Sequence, residues 1–568
     1  MNENRCRIFK FLYRSGLHVF TITFFTILSQ HIFAQSVNIP FQQDYYHFLD
    51  RLEIKSGKFS PTYHASFSPL QRKKVVGFLD SLENKDLELS TTDRSNIQFL
   101  YNDSREWDDS TRNNGPDIWN TFYKNSADLF SVNTDNFDLH LNPVLYLTGG
   151  LVAGDDTRYY TNTRGIEVRG MISKKVGFYS FASTTQALFP DYVKSRIDSF
   201  RSVPQQGFYK RFKEDAYDFF STRGYISFNP VQPINIQFGH DRFFAGHGYR
   251  SVALSDFSNS FLFLKFNTEV WKISYNNLFG QMIADVGQTT FKDPKYFAYH
   301  HLSINLTPTF NLGLFESVVY GGLDSAGRAR GMELEYLNPV IFYRAVESHV
   351  GSSEGNAIIG ADFRWLIWRR FSLYGQFLLD EFLLDNVRAR DGWWANKYAA
   401  QVGLKYIDAF GLKNFDLQLE SNWARPYTYA HSSLFTNYSH FGLPLAHPMG
   451  ANFREFTGIV RYQPTQRLLF VFTCIVIDNG EDSNGSNWGG NIMLDYSTRE
   501  QDRGNELLQG VENRIIYLDA TISYMLFHNF FIDMQHIYRQ ESLGMENSEL
   551  NYTNLSLRWN IFKRIHSF

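Results

Sequence analysis

From about Phe137 onward, apolar and polar positions alternate with a period of two. INIQFGH sets Ile234, Ile236 and Phe238 on one face against Asn235, Gln237 and Gly239 on the other. LSLRWNIF sets Leu555, Leu557, Trp559 and Ile561 against Ser556, Arg558, Asn560 and Phe562. Successive side chains of a strand point to opposite faces, so the pattern predicts long strands, each with one apolar and one polar face. No second sheet is evident to cover the apolar faces, which fits strands turned toward lipid. Upstream the period is helical. Tyr45, Phe48, Leu49 and Leu52 fall at i, i+3, i+4 and i+7, Val75, Phe78, Leu79 and Leu82 repeat that spacing, and Ile97, Leu100 and Tyr101 give a weaker third stripe. Ser68 followed by Pro69 reads as an N-cap with proline at the first helical position. The spacing predicts two or three helices between about 40 and 107.

The connections sharpen the strand reading. SKK at 173–175, NPVQP at 229–233, NTE at 267–269, TPT at 307–309, WRR at 368–370, QPTQ at 463–466 and LFHN at 526–529 are tight links. Long segments alternate with them, at roughly 189–217, 243–259, 281–296, 320–355, 385–396, 425–452 and 479–510. Outer-membrane barrels distribute periplasmic turns and extracellular loops in this way. The apolar run from Met332 to Tyr343 breaks the register and is assigned to a folded loop. About 18 strands result, an even number that returns both ends of the barrel to one side. The expected fold is all-β and transmembrane: a closed antiparallel outer-membrane β-barrel of about 18 strands with a small N-terminal helical unit. A soluble sandwich or solenoid rarely repeats strands of about ten residues so often.

Composition supports that class and removes others. Aromatic residues make up 17% and charged residues 20%, with a mean hydropathy of -0.32, so apolarity is spread along the chain rather than gathered in blocks. A net charge of -3 gives no footprint for nucleic acid. Arg5, Arg7, Lys10 and Arg14 precede an apolar core from Leu17 to Leu28, and Ile32 and Ala34 precede Gln35, the pattern of a cleaved export signal. The expected organisation is therefore a signal peptide at 1–34, a helical periplasmic or plug unit with its lead-in at 35–135, and a barrel with long extracellular loops at 136–568, located in the cell outer membrane. Cys6 would leave with the signal. Cys474 alone offers neither an internal disulfide nor a thiolate metal cluster.

Candidate chemistry concentrates in the long segments. QFGHDRFFAGHGYRSVALSDF, 237–257, holds His240, His247, Asp241, Asp256, Arg242 and Arg250 at the upper end of a strand, with Gly246 and Gly248 permitting tight turns. The separation of the two histidines matches no metal-ligand spacing. The segment reads either as a loop folded into the lumen and held by Arg–carboxylate pairs, or as a sugar-contacting loop. RARDGWWANK, 388–397, carries Trp393 and Trp394 just ahead of a strand, where at most one indole could join a lipid-facing aromatic girdle. The segment 425–453 is rich in tyrosine and histidine, which suits a polar recognition surface and equally a loop folded against its neighbours. No GxSxG elbow, HExxH or P-loop pattern is read from the chain, and a non-catalytic protein without cofactor or metal is expected.

Several of these stretches carry a resemblance. DYYHFLDRLEIKSG, GHDRFFAGHGYRSVALSD, YLNPVIFYRAVE, GWWANKYAAQVGLKYIDAFG and RPYTYAHSSLFTNYSHFGLPLAHPMGANFREF together resemble the Bacteroidetes outer-membrane proteins of the Wzi-like capsule assembly group, which includes the gliding-motility protein RemB. The resemblance implies a barrel with a helical bundle at its periplasmic end that attaches or organises capsular polysaccharide as a lectin. Its implied partners are surface polysaccharide, outer-membrane lipid, and capsule-export or gliding machinery. A gliding or adhesion accessory and a diffusion channel or transporter remain the alternatives. Sugars offer hydroxyls to charged groups and apolar faces to rings. The candidate glycan-binding residues are accordingly Asp241, Arg242, Tyr249, Arg250, Asp256, Trp393 and Trp394, with the two arginines facing an anionic polymer and the aspartates orienting them.

Overall fold

The computed structural model describes residues 36–41, 43–83, 87–107, 127–134, 136–284, 293–324, 327–340, 355–381, 384–483 and 485–568. The segment expected to be a signal peptide lies outside them, as does the end of the apolar run at 341–343. A single closed barrel of 18 antiparallel strands dominates the molecule. In chain order they are β1 (Phe137–Val152), β2 (Arg158–Ile172), β3 (Val176–Leu188), β4 (Ala216–Val231), β5 (Ile234–Asp241), β6 (Phe261–Val270), β7 (Ile273–Ile283), β8 (Pro294–Asn305) and β9 (Phe310–Tyr320). The second half comprises β10 (Asn356–Ile367), β11 (Phe371–Glu381), β12 (Lys397–Tyr406), β13 (Phe415–Ala424), β14 (Phe453–Thr465), β15 (Leu468–Glu481), β16 (Val511–Phe527), β17 (Phe530–Leu543) and β18 (Glu546–Trp559). Each pairs with the next, and β18 closes on β1 with Leu557 opposite Leu147. Closure leaves no edge whose backbone groups would face lipid unpaired. Phe238 and Leu555 are exposed on the outer face, while Asn235, Gln237, Ser556 and Arg558 are buried in the lumen, as their alternation predicts.

Three local expectations need correction. The turn read at 267–269 falls at Trp271 and Lys272 instead, because Val270 still pairs with Ile273. Asn267 Nδ2 donates to Ser274 Oγ (3.2 Å) and Asn276 Oδ1 (3.0 Å), and these lumenal bonds carry the ladder through the polar stretch. Ser68 is not a helix cap: it pairs with Phe244 in a two-residue strand bridge, and the helix begins at Arg72. The last strand stops at Trp559, so Ile561 and Phe562 do not continue its two faces. From Asn560 the chain turns back up inside the barrel. Asn560 Nδ2 donates to Pro143 O (2.9 Å), Lys563 Nζ to Thr521 Oγ1 (2.7 Å), and Phe568 is buried against Tyr192 and Phe257. A basic, aromatic tail finds hydroxyls and rings in the lumen that lipid could not offer.

Helices α1 (Gln43–Ser56), α2 (Arg72–Glu83) and α3 (Thr91–Asp103) share a core that includes Tyr45, Leu52, Phe78, Leu79 and Leu100. Ser90 and Asp93 form a reciprocal capping box that starts α3. Their polar sides meet the barrel at the end that carries the short turns. Arg51 pairs with Asp408 (2.5 Å) and with Asp416, Arg364 pairs with Glu53 (2.5 Å) and Asp50 (3.2 Å), and Phe59 N donates to Pro308 O (2.9 Å). Burial alone would raise the Asp50 carboxyl, but Lys405 and Arg364 hold it down to about 2.

Candidate functional site

The segment 242–260 leaves the wall where β5 ends and folds into the lumen. Gly246 takes a φ of 126° and donates its N–H to Ser66 O (2.8 Å), which ties the segment to the helical unit below. At Gly248 a Cβ would lie 2.6 Å from Glu420 Oε2, so only glycine passes this point without a shift. Just beyond it, Tyr249 N (2.7 Å) and Arg250 N (3.0 Å) both donate to the Glu420 carboxylate of β13. The Arg250 guanidinium reaches Glu455 of β14 through Nε and Nη2 (3.4 Å each) and donates from Nη2 to Ser567 Oγ (3.0 Å) in the tail. Burial works against the charge on Arg250, yet Glu455 beside it raises its pKa. Arg242 donates Nη1 to the backbone carbonyl of Asp256 (3.1 Å), and Asp241 accepts from Arg242 N (2.9 Å) while lying 4.0 Å from Arg223. The structure therefore places Arg242, Tyr249, Arg250 and Asp256 on a loop inside the barrel and Asp241 at the end of the strand that precedes it, with the two arginines buried or nearly so.

Segment 425–452 lies against that loop. Tyr429 OH donates to Val252 O (2.6 Å), Tyr438 OH to Ala253 O (2.9 Å), and Ser255 N to Leu445 O (2.7 Å). These tyrosines are buried, so the segment serves packing where its composition equally allowed an outward recognition surface. Lys295 Nζ binds it from the wall through Asn437 Oδ1 (2.8 Å), Ser439 Oγ (3.1 Å) and the carbonyls of Leu434 and Asn437 (3.0 Å each). Burial depresses the pKa of the loop residue His447 despite Glu455 at 3.1 Å. Among the described residues, no group of three or more His, Cys, Asp or Glu side chains is placed to hold a metal ion.

Trp393 and Trp394 lie elsewhere, in the connection between β11 and β12. Both precede the strand, and segment 482–510 engages them, so neither forms part of a strand face. Trp394 N donates to Asp502 O (2.9 Å), and its ring packs 4.9 Å from Tyr496 with the Arg499 guanidinium 4.1 Å from its centroid. Arg503 lies 5.4 Å from the Trp393 ring and pairs with Asp391. Both indole Nε1 groups are shielded from water and have no hydrogen-bond acceptor among the described residues. Tyr496, Arg499 and Arg503 belong to this cluster and were not singled out from sequence. The segment 479–510 read as a long loop, but nothing in DYSTREQDRG announces which side chains turn toward a loop a hundred residues away.

A GxSxG string does occur, from Gly351 to Gly355, but residues 351–354 lie outside the described residues. A strand, β10, follows Gly355 at once, whereas a nucleophile elbow leads into a helix.

No curated protein sequence matches the chain. A family model described as capsule assembly protein Wzi matches residues 206–513. The solved structure of Wzi is described as an outer membrane protein involved in group 1 capsule assembly in Escherichia coli and as a carbohydrate-binding β-barrel. It is 12% identical, with a TM-score of 0.58 over 94% of this chain and 100% of that one. Pseudomonas aeruginosa OprD (12% identity, 74% and 94% covered, TM-score 0.40) and OccK3 (10% identity, 74% and 95% covered, TM-score 0.41) also align. The family match spans more than half of the 568 residues and the barrel closes on 18 strands, so this is an outer-membrane protein, and the chain belongs to the Wzi capsule-assembly family.

Proposed function

We propose that this protein holds surface polysaccharide at the outer face of the membrane, as a binding protein and not as an enzyme. The observation that carries the reading is the Trp393–Trp394 cluster. Two half-buried indoles stand beside Arg499 and Arg503, and ring faces with cations beside them are the combination that holds a sugar. Family membership supports it, and so does the likeness to a barrel described as carbohydrate-binding. In this reading Asp241, Arg242, Tyr249, Arg250 and Asp256 supply the floor beneath the upper loops, and the polymer gains affinity through many weak repeats. The comparisons lend nothing to a role in gliding. A diffusion role fits poorly with a lumen into which helices, two long segments and the 560–568 tail are all packed. The test is a deletion strain complemented with wild-type or Trp393→Ala/Trp394→Ala protein, assayed for cell-bound against shed polysaccharide. Retention by the double variant equal to wild type would overturn the reading.

A further inference from the structure

The barrel wall is interrupted beside β4. The uppermost pairing of β5 with β4 joins His240 to Gly224. Higher on the same edge, the short strand Lys210–Phe212 takes over, with Lys210 opposite Asp218. Residues 219–223 lie between these two pairings with no strand of the described residues beside them on that edge, although β3 pairs with them on the other. A cavity of about 350 Å³ occupies this window. Phe208 (56% exposed) and Phe220 (62% exposed) line it from outside, and Arg223, Arg242, Phe562 and Arg564 line it from the lumen. The window begins eight residues above the Val231 turn, which at ~3.3 Å per residue and ~40° tilt is about 20 Å. An apolar band is roughly 25 Å tall, so the window opens near the headgroup level of the outer leaflet.

The lumenal wall of the cavity carries three arginines, two of them with hydrogen-bonding positions only partly filled, and among the described residues Asp218 is the one carboxylate residue in the lining. Arg242 is 3% exposed, and its Nε has no acceptor among the described residues. It donates Nη1 to the backbone carbonyl of Asp256, and the charge of that residue acts on it without a side-chain hydrogen bond between them. Arg564 donates Nη2 to Thr185 Oγ1 (3.2 Å), and its buried Nη1 has no partner among the described residues. Arg223 has Asp241 at 4.0 Å, the limit of an ion pair. The Phe562 ring lies against both Arg223 (6.0 Å) and Arg242 (5.8 Å). Burial lowers Arg564 to about 10, which still leaves it charged at neutral pH. Buried guanidinium groups with open N–H positions call for an oxyanion, because an unpaired buried charge is costly.

We infer that this cavity binds the acidic group of a sugar, a uronate carboxylate or a sugar phosphate, which enters through the gap in the wall and is held by Arg223, Arg242 and Arg564. The inference rests on the polysaccharide reading for the sugar and adds the anion and the route. The acidic sugar could belong to the surface polymer or to the headgroup of an outer-leaflet glycolipid, since both present anions at this height. The test uses the full-length barrel in detergent, titrated with oligogalacturonate, with dextran oligomers of equal length and with deacylated lipopolysaccharide core. One or both acidic saccharides should bind at least tenfold more tightly than dextran, and binding should weaken as salt rises. Binding of oligogalacturonate alone assigns the anion to the polymer, and binding of the core alone assigns it to the glycolipid. Arg242→Gln and Arg564→Gln, each checked for heat-modifiable mobility, should weaken that binding tenfold or more. Equal binding of acidic and neutral oligomers by wild type, which needs no variant, overturns the inference. So does wild-type affinity in both folded variants. If those outcomes coincide with normal polymer retention that depends on Trp393 and Trp394, this site fails and the polysaccharide reading stands.

Discussion

Arg250 and Glu455 meet across the lumen, 205 positions apart in sequence, with side-chain exposures of 12% and 0%. The pair fastens the 242–260 loop to the wall, and Ser567 on the same guanidinium fastens the tail. Removing the arginine leaves the buried Glu455 carboxylate without its guanidinium and, among the described residues, with only Asn422, Thr457 and His447 beside it, at a cost of up to about 3–5 kcal/mol. Arg250→Ala should therefore lower the temperature at which the folded band converts to the unfolded one on gels. Arg250→Ala/Glu455→Ala should recover part of that loss, since neither charge is then stranded. An unchanged conversion temperature in Arg250→Ala would show that the pair does not hold the loop.

The tryptophan pair should behave in the opposite way. Each ring can cover about 50 Å² of a sugar face, which at ~25 cal/mol/Å² is about 1 kcal/mol. Trp393→Ala and Trp394→Ala should each weaken binding to purified surface polysaccharide by roughly fivefold to tenfold. The loss multiplies along a repeating polymer. Their heat-modification temperatures should stay close to wild type, because the cluster belongs to loops above the wall. Equal affinity in both single variants would remove the cluster from the site.

What the sequence disclosed follows from how local each signal is. Period-two runs such as 234–238 and 555–558 were legible because lipid and lumen select alternate positions strictly. The long segments were legible as such for the same reason: they lack the alternation. The turn at Trp271 was misplaced because Asn267 and Glu269 look like turn residues, yet the lumen accepts polar side chains on a strand. Ser68–Pro69 imitates a helix start, and only the bridge to Phe244 shows its use. The partners of Arg250, Trp394 and Arg564 could not be read at all, since each is fixed by barrel closure and loop folding and not by neighbours in the chain.

Acid should loosen the lumenal elements before it reaches the carboxylates. Burial lowers His64 in the helical unit, His431 in the 425–452 segment and His566 in the tail, each to about 4 from the usual 6.5. A base whose folded pKa is depressed binds more protons when unfolded, so its contribution is intact above about 6.5 and falls away as pH drops toward about 4. Asp50 has the other sign. Held down to about 2, it stabilises across that whole window and fails only between about 4 and 2. The heat-modification temperature should thus decline between pH 6.5 and 4, and His64→Asn should flatten the decline. A flat profile in wild type would contradict the burial of these rings.

The helical unit decides whether the barrel conducts. A barrel of this size has a lumen wide enough for ions unless it is filled. Here Arg51 is clamped by Asp93 (2.7 Å) of α3 and by Asp408 and Asp416 of the wall, and Arg364 reaches back to Asp50 and Glu53, so the helices are joined to the wall by charges that are buried or partly buried. Buried pairs of this kind are strongly destabilised when one partner is removed, by about 3–5 kcal/mol. Wild-type protein in planar bilayers should show no steady conductance. Arg51→Ala/Arg364→Ala removes a guanidinium from five carboxylates and, among the described residues, leaves them only Lys55, Lys405 and His47 as ion-pair partners, with Glu53 losing its ion pair outright. It should give intermittent openings that lengthen as salt screens the remaining contacts. Steady wild-type conductance would mean that the helices do not seal the lumen, and would bring the channel reading back ahead of the polysaccharide one.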